Sequence, residues 1–303
     1  MSDPVSASVA VEPDSSAVAA SEPARRPASR IRIAVLYCIL VFGITWPVCI
    51  YVLMAKDIVW RSDGQFFHFA VSRNWAIAQL SGFSPGIAAV ILGLSTRWRY
   101  FSNPFSQLRS PVRPKLLYAF SLSMPILLFS VSLFVGEYFA GYHPLNVQPS
   151  SLANFLATFL LILPLAPLWE EPGWRGCLLP LLSPRFGYWR AALIIGVIWA
   201  TWHLPAYILL LQTSWNHFFV FCLIVVGMSV VLAALYRAGG NSLRLPILFH
   251  ASWNTMSRSV TDDGSNFDAK AWLALAGGVW LLAAFCWLWW SGKQSEASNP
   301  ANI

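Results

Sequence analysis

Two adjacent carboxylates and an arginine, Glu170, Glu171 and Arg175, sit in the middle of a long apolar stretch. Beyond residue 29 the only other glutamates are Glu137 and Glu296, so this pair does not belong to a generally acidic surface. A charge at the centre of a membrane helix costs about 2.5–3.5 kcal/mol on insertion scales, and an ionisable residue kept there marks a functional site or a buried ion-pair network. In a helix Glu171 and Arg175 lie four residues apart on one face with the acid first, the favoured order for an ion pair. Glu170 then points about 100° away. One carboxylate can be neutralised while its neighbour remains available for chemistry. Pro172 either removes a helix hydrogen bond or opens a new helical segment. In the second case both carboxylates would lie near its positive end.

Of the five histidines, His203 and His250 fall inside apolar stretches, whereas His68, His143 and His217 fall in predicted loops or at helix ends. Two intramembrane histidines in separate spans, together with Glu170, suggest convergence on one site. Asn254 follows His250 at i+4, so both project from one face, a neutral donor pair suited to an oxyanion. Glu170, His203 and His250 also form a possible zinc ligand set with one position open for water. No H-E-x-x-H occurs to support it. The expectation is therefore no cofactor, with zinc as the alternative. Gly82-Phe83-Ser84-Pro85-Gly86 spells G-x-S-x-G. That motif needs a strand–turn–helix elbow, and here it lies in a predicted membrane helix beside a proline, so Ser84 is read as a chance match.

The elements that must position these residues are membrane helices. The chain of 303 residues is 57% hydrophobic and 11% charged, with 16 tryptophans, against about 25% charged in a soluble domain. Only lipid absorbs so much apolar surface. Stretches long enough to span, at about 20 residues each, lie at roughly 33–55, 75–95, 116–140, 153–182, 187–211, 215–236, 243–260 and 270–290. The expected fold is an all-α polytopic bundle of about eight spans. The fourth stretch contains Pro164, Pro167, Pro172 and Pro180 and should be tilted or broken. Residues 1–29, rich in Ser, Ala, Pro and Glu, read as a disordered tail; residues 30–292 read as the transmembrane domain and 293–303 as a short tail. The polar segment 100–115 reads as a cytoplasmic loop or a surface-lying helix. Cysteines 38, 49, 177, 222 and 286 are scattered without CxxC spacing and read as small buried apolar residues. The net charge of +7 is spread between apolar runs rather than gathered on one face, which points to topology and away from nucleic acid.

Glu170-Glu171-Pro172-Gly173-Trp174-Arg175 matches E-E-x-x-x-R, Trp199-Ala200-Thr201-Trp202-His203 resembles F-x-x-x-H with Trp in place of Phe, and His250-Ala251-Ser252-Trp253-Asn254 matches H-x-x-x-N. In this order, each in its own apolar span, the three motifs resemble those of the CAAX-prenyl-protease and bacteriocin-processing family of intramembrane glutamic endopeptidases. The likeness covers roughly residues 155–260. It implies that Glu170 and His203 activate the attacking water, that His250 and Asn254 bind the oxyanion, and that Glu171 and Arg175 shape the site. It implies a membrane-associated protein or peptide as substrate. Trp199, the departure from the pattern, is read as a packing position. The non-enzymatic alternatives are a transporter, a scaffold or a bacteriocin-immunity protein; the single acidic cluster and the lack of evident repeats weigh against transport.

Fourteen of the twenty basic residues fall on one side of the alternating spans, among them Arg25, Arg97, Arg109, Arg185, Arg237 and Lys293, and five on the other, at Lys56, Arg61, Arg73, Arg258 and Lys270. The positive-inside rule then puts both termini in the cytoplasm of a multi-pass protein, expected in the cell membrane. A reporter fused after Ile303 should be active only in its cytoplasmic form; activity confined to the outside would refute this topology.

Overall fold

A computed structural model describes residues 27–55, 59–63, 68–72, 77, 81–112, 114–140, 152–210, 214–261 and 269–297. Most of the expected N-terminal tail, the end of the C-terminal tail, and His143 lie outside the described residues. Helix α1 runs Pro27–Met54, followed by a two-stranded antiparallel hairpin, β1 Val59–Asp63 and β2 His68–Ser72. Then come α2 Ser84–Ser95, α3 Leu116–Ala140, α4 Leu152–Leu165 and α5 Pro167–Gly173. A π-helical turn, Trp174–Leu178, joins α5 to α6 Leu179–Phe186. The remaining helices are α7 Tyr188–Trp202, α8 Trp215–Ala238, α9 Arg244–Thr261 and α10 Ala269–Ala297. The all-helical bundle is as expected, and the small hairpin is an addition. Helix α1 starts before residue 30 and α10 continues beyond 292.

Each of the eight apolar stretches contains a helix, and this is an integral membrane protein. Five helices are long and apolar enough to cross a bilayer: Ser29–Met54, Leu116–Phe139, Tyr188–Ile208, Trp215–Ala238 and Ala269–Trp289. The proline-rich fourth stretch makes a sixth as a bent pair, with 41° between Leu152–Leu165 and Pro167–Phe186. Two stretches fall short of the eight. Helix α2 has 12 residues, about 18 Å of rise against a hydrocarbon core of about 30 Å. Helix α9 has 18 residues but carries Arg244, His250, Asn254 and Arg258, too polar to face lipid alone.

The bundle turns apolar side chains outward, Ile39, Phe134, Leu160 and Leu281 among them, as a lipid solvent allows. Trp174, Trp199, Arg175 and Phe249 are fully buried at its centre. Helix α8 packs against α7 and α10, α9 against α3 and α4, and α5 against α2. Small residues allow the closest approaches: a Cβ on Gly196 would lie 2.7 Å from the Val226 backbone. The segment 100–115 is less superficial than expected. It forms a short 3-10 turn, Ser106–Arg109. There the buried Gln107 donates to the Gly176 carbonyl at 3.4 Å and accepts from the Tyr236 hydroxyl at 2.7 Å.

Gly173 is where the motif-bearing helix meets α1 and α2. An added Cβ would lie 2.4 Å from the Tyr37 hydroxyl and 2.5 Å from Pro85. Over-packing of this kind typically costs about 1–3 kcal/mol. Gly173→Ala should lower the detergent melting temperature clearly, while Gly43→Ala, with nothing within 4 Å of its added Cβ, should not; equal melting of the two would contradict this packing.

Candidate active site

The break before α5 determines where the first carboxylate lies. Ala166 leaves helical geometry at φ −136°, ψ −68°, and Pro167 starts the new segment at a position where its missing N–H costs nothing. The segment therefore begins at Pro167 rather than Pro172, and Glu170 alone of the two acids falls in its first turn, near the positive end of the helix. Its own N–H donates to the Ala166 carbonyl at 2.8 Å. Both Glu170 and Glu171 are buried, at 4% and 0% exposure. The π turn that follows is a widened helix of a kind common at functional sites.

Glu171 makes the expected pair with Arg175 and a second one besides. The Arg175 guanidinium donates to Glu171 Oε1 at 3.0 Å and lies 3.0 Å from Oε2. His250 Nδ1 donates to the same Oε1 at 2.8 Å. The carboxylate can only accept there, so the proton is on Nδ1. A neutral His250 has then used its single proton, and a donor at Nε2 requires the imidazolium. The neutral donor pair read from the sequence is therefore corrected for His250. Asn254 follows one turn later on α9. It lines a cavity of about 270 Å³ with Leu165, Ala166, Tyr207 and Arg258.

The second network centres on a residue that sequence reasoning set aside. The Trp199 indole N–H donates to Glu170 Oε2 at 2.8 Å. Its carbonyl accepts from His203 Nδ1 at 2.9 Å, which directs the other imidazole nitrogen, Nε2, away from that bond. The Arg175 guanidinium lies over the indole at 4.7 Å, and the His250 ring stands edge-on at 5.2 Å. Trp199 is thus more than a packing residue. The available signal was its indole N–H, which usually finds a partner when buried.

The remaining expectations divide. Ser84 is fully buried at the start of α2, 2.7 Å from Thr45 Oγ1. Thr45 donates to the Ser81 carbonyl at 3.2 Å and accepts from the Trp202 indole at 2.8 Å. With the Thr45 proton committed, Ser84 must be the donor of the pair. Among the described residues, 81–83 immediately before Ser84 form no strand, and α2 follows Phe83 in helical geometry. His217 pairs with Ser214 at the exposed start of α8. Among the described residues, no three His, Cys, Asp or Glu side chains are grouped as a metal ion requires.

Comparison with known proteins bears on the same segment. Residues 152–256 match the family described as type II CAAX prenyl endopeptidase, Rce1-like. The match over these residues agrees with the resemblance to the CAAX-prenyl-protease and bacteriocin-processing family. Over 139 residues the chain is 26% identical to CAAX prenyl protease 2 of Methanococcus maripaludis, covering 43% of this chain and 51% of that protein. The chain spans about half the length of this curated relative. All three motifs, from Glu170 to Asn254, fall inside the family match.

Removing one partner from a buried ion pair leaves an uncompensated charge, a loss of about 3–5 kcal/mol. Arg175→Ala should therefore reduce folded yield and melting temperature; unchanged thermal stability would mean that Glu171 is neutral or otherwise compensated.

Proposed function

We propose that this chain is an intramembrane glutamic endopeptidase that hydrolyses a peptide bond in a membrane-associated protein or peptide, as the CAAX-type resemblance implies. The observation that carries the reading is the meeting of three separate helices at one buried centre. Glu170 is joined through Trp199 to His203, and the adjacent Glu171 is joined to His250.

In this mechanism Glu170 Oε2 is held by the indole and Oε1 faces the water. His203 has Nδ1 committed to a carbonyl, and its Nε2 orients the same water. As the water oxygen bonds to the scissile carbonyl carbon, its proton passes to Glu170 and the carbonyl π pair moves onto oxygen. The His250 imidazolium, stabilised by Glu171, and the Asn254 amide donate to that oxyanion. Collapse breaks the C–N bond, and Glu170 returns its proton to the leaving amine. Arg175 keeps Glu171 charged and in place. The substrate class follows the family: a chain near whose C-terminus a prenylated cysteine precedes the cleaved bond.

Glu170→Gln retains shape and removes the proton acceptor. Cleavage of a fluorescence-quenched peptide carrying a prenylated cysteine should fall by about 10²–10⁴-fold, with folding preserved. His203→Ala should cause a comparable loss, and the double variant should be little worse than either alone, because residues acting as one unit are non-additive. Ser84→Ala should retain turnover. Near-normal cleavage by Glu170→Gln with Ser84→Ala inactive would overturn the glutamic mechanism. Bound metal in the purified protein, together with loss of activity on chelation, would favour Glu170, His203 and His250 as zinc ligands instead.

A further inference from the structure

The family pattern has Phe where this chain has Trp199, and a phenyl ring cannot donate a hydrogen bond. Here the residue is 1% exposed, and its one polar side-chain atom is 2.8 Å from Glu170 Oε2. A bond from a donor to an ionised acceptor is roughly twice as strong as a neutral one. The Arg175 guanidinium lies 4.7 Å over the same ring. A cation on the π face draws electron density from the indole and makes its N–H a better donor. The backbone of Trp199 holds His203 through the carbonyl at 2.9 Å. One residue therefore joins both proposed activators of water, Glu170 through its side chain and His203 through its main chain.

We infer that Trp199 is a positioning residue, whose indole N–H fixes the Glu170 carboxylate so that Oε2 is occupied and Oε1 alone is presented to the nucleophilic water. This inference rests on the glutamic-peptidase reading. A carboxylate can rotate about its terminal bond, and the indole bond removes that freedom. It also divides the two oxygens into one anchored and one reactive. Misplacing a catalytic group by about 1 Å can cost up to about 10²-fold in rate. The cost should fall on the chemical step rather than on substrate binding.

Two variants separate the N–H from the ring. Trp199→Phe removes the donor and some bulk. Replacement of Trp199 by β-(3-benzothienyl)alanine keeps the bicyclic shape and the contact with Arg175 while removing only the N–H. In both, kcat on the prenylated-cysteine peptide should fall roughly 10–100-fold with KM within about twofold. A spectroscopic arm needs no activity. In protein labelled with ¹⁵N-tryptophan, the indole signal lost in Trp199→Phe should move upfield in Glu170→Gln, where the acceptor is neutral. Wild-type kcat in the benzothienylalanine protein, or an indole signal that ignores Glu170→Gln, would overturn the role of Trp199. Full cleavage by Glu170→Gln would overturn the glutamic reading itself, so the two failures are distinct.

Discussion

The structure depends on a carboxylate that has no access to solvent. Glu171 is completely buried inside a bundle whose surroundings offer no water, and it is held by two partners from different parts of the chain. Arg175 comes from the π turn just after it, and His250 comes from α9. A buried charge without compensation costs several kcal/mol, so these partners are required for the bundle to close. The same requirement explains α9. Its many polar and charged residues, Arg244, His250, Asn254 and Arg258 among them, make it a poor membrane span by itself, yet it faces the interior, where His250 meets Glu171. Ser252 donates to the Leu122 carbonyl at 2.7 Å, and Trp253 stands against Phe129 at 4.8 Å. The Glu171–His250 hydrogen bond and these contacts with α3 accommodate a helix that lipid would reject.

With Glu171 fixed, the position of Glu170 follows from chain geometry. The two residues are adjacent, so their side chains leave the helix in different directions. One enters the Arg175–His250 network and the other the Trp199–His203 side. Proline and glycine make this possible. Pro164 and Pro167 bracket the break at Ala166, and the bend lets α5 turn inward from the line of α4. Gly173 then brings the backbone against Tyr37 and Pro85, where no side chain fits. The motif is usually written with its charged letters, but in this chain an intervening position is constrained as tightly as they are.

Sequence spacing revealed the features that depend on local geometry. The i, i+4 relation gave the Glu171–Arg175 pair, the prolines gave the broken fourth stretch, and polar residues inside apolar runs pointed to His203 and His250. It could not reveal features that depend on a partner from another helix. Nothing local shows which nitrogen of His250 carries its proton; Glu171, 79 residues away, decides that. Nothing local distinguishes an indole packed in apolar surroundings from one bonded to a carboxylate 29 residues earlier. Gln107 looked like part of a polar loop because its acceptor on Gly176 and its donor Tyr236 are both distant in sequence. Apolar composition likewise does not show whether a polar helix such as α9 has interior partners.

The last turn of α7 shows how completely such distant partners determine the site. Trp199 and Trp202 both end their indoles on buried acceptors, but in opposite directions. Trp199 reaches Glu170 on α5, and Trp202 reaches Thr45 on α1, which also holds Ser84 of α2. His203 follows at once as the C-cap of the helix, bonded back to the Trp199 carbonyl and set 4.6 Å from the Trp202 ring. Its imidazole is therefore held by two tryptophans of its own helix whose indoles are anchored on α5 and α1. A serine in a nucleophile-like motif serves here as a strut for that arrangement: its hydroxyl proton is directed at Thr45, and Thr45 receives the indole that steadies His203. The G-x-S-x-G pattern and the histidine motif thus meet through the Ser84–Thr45–Trp202 hydrogen bonds, with the serine as an anchor and His203 bonded at Nδ1 to the Trp199 carbonyl.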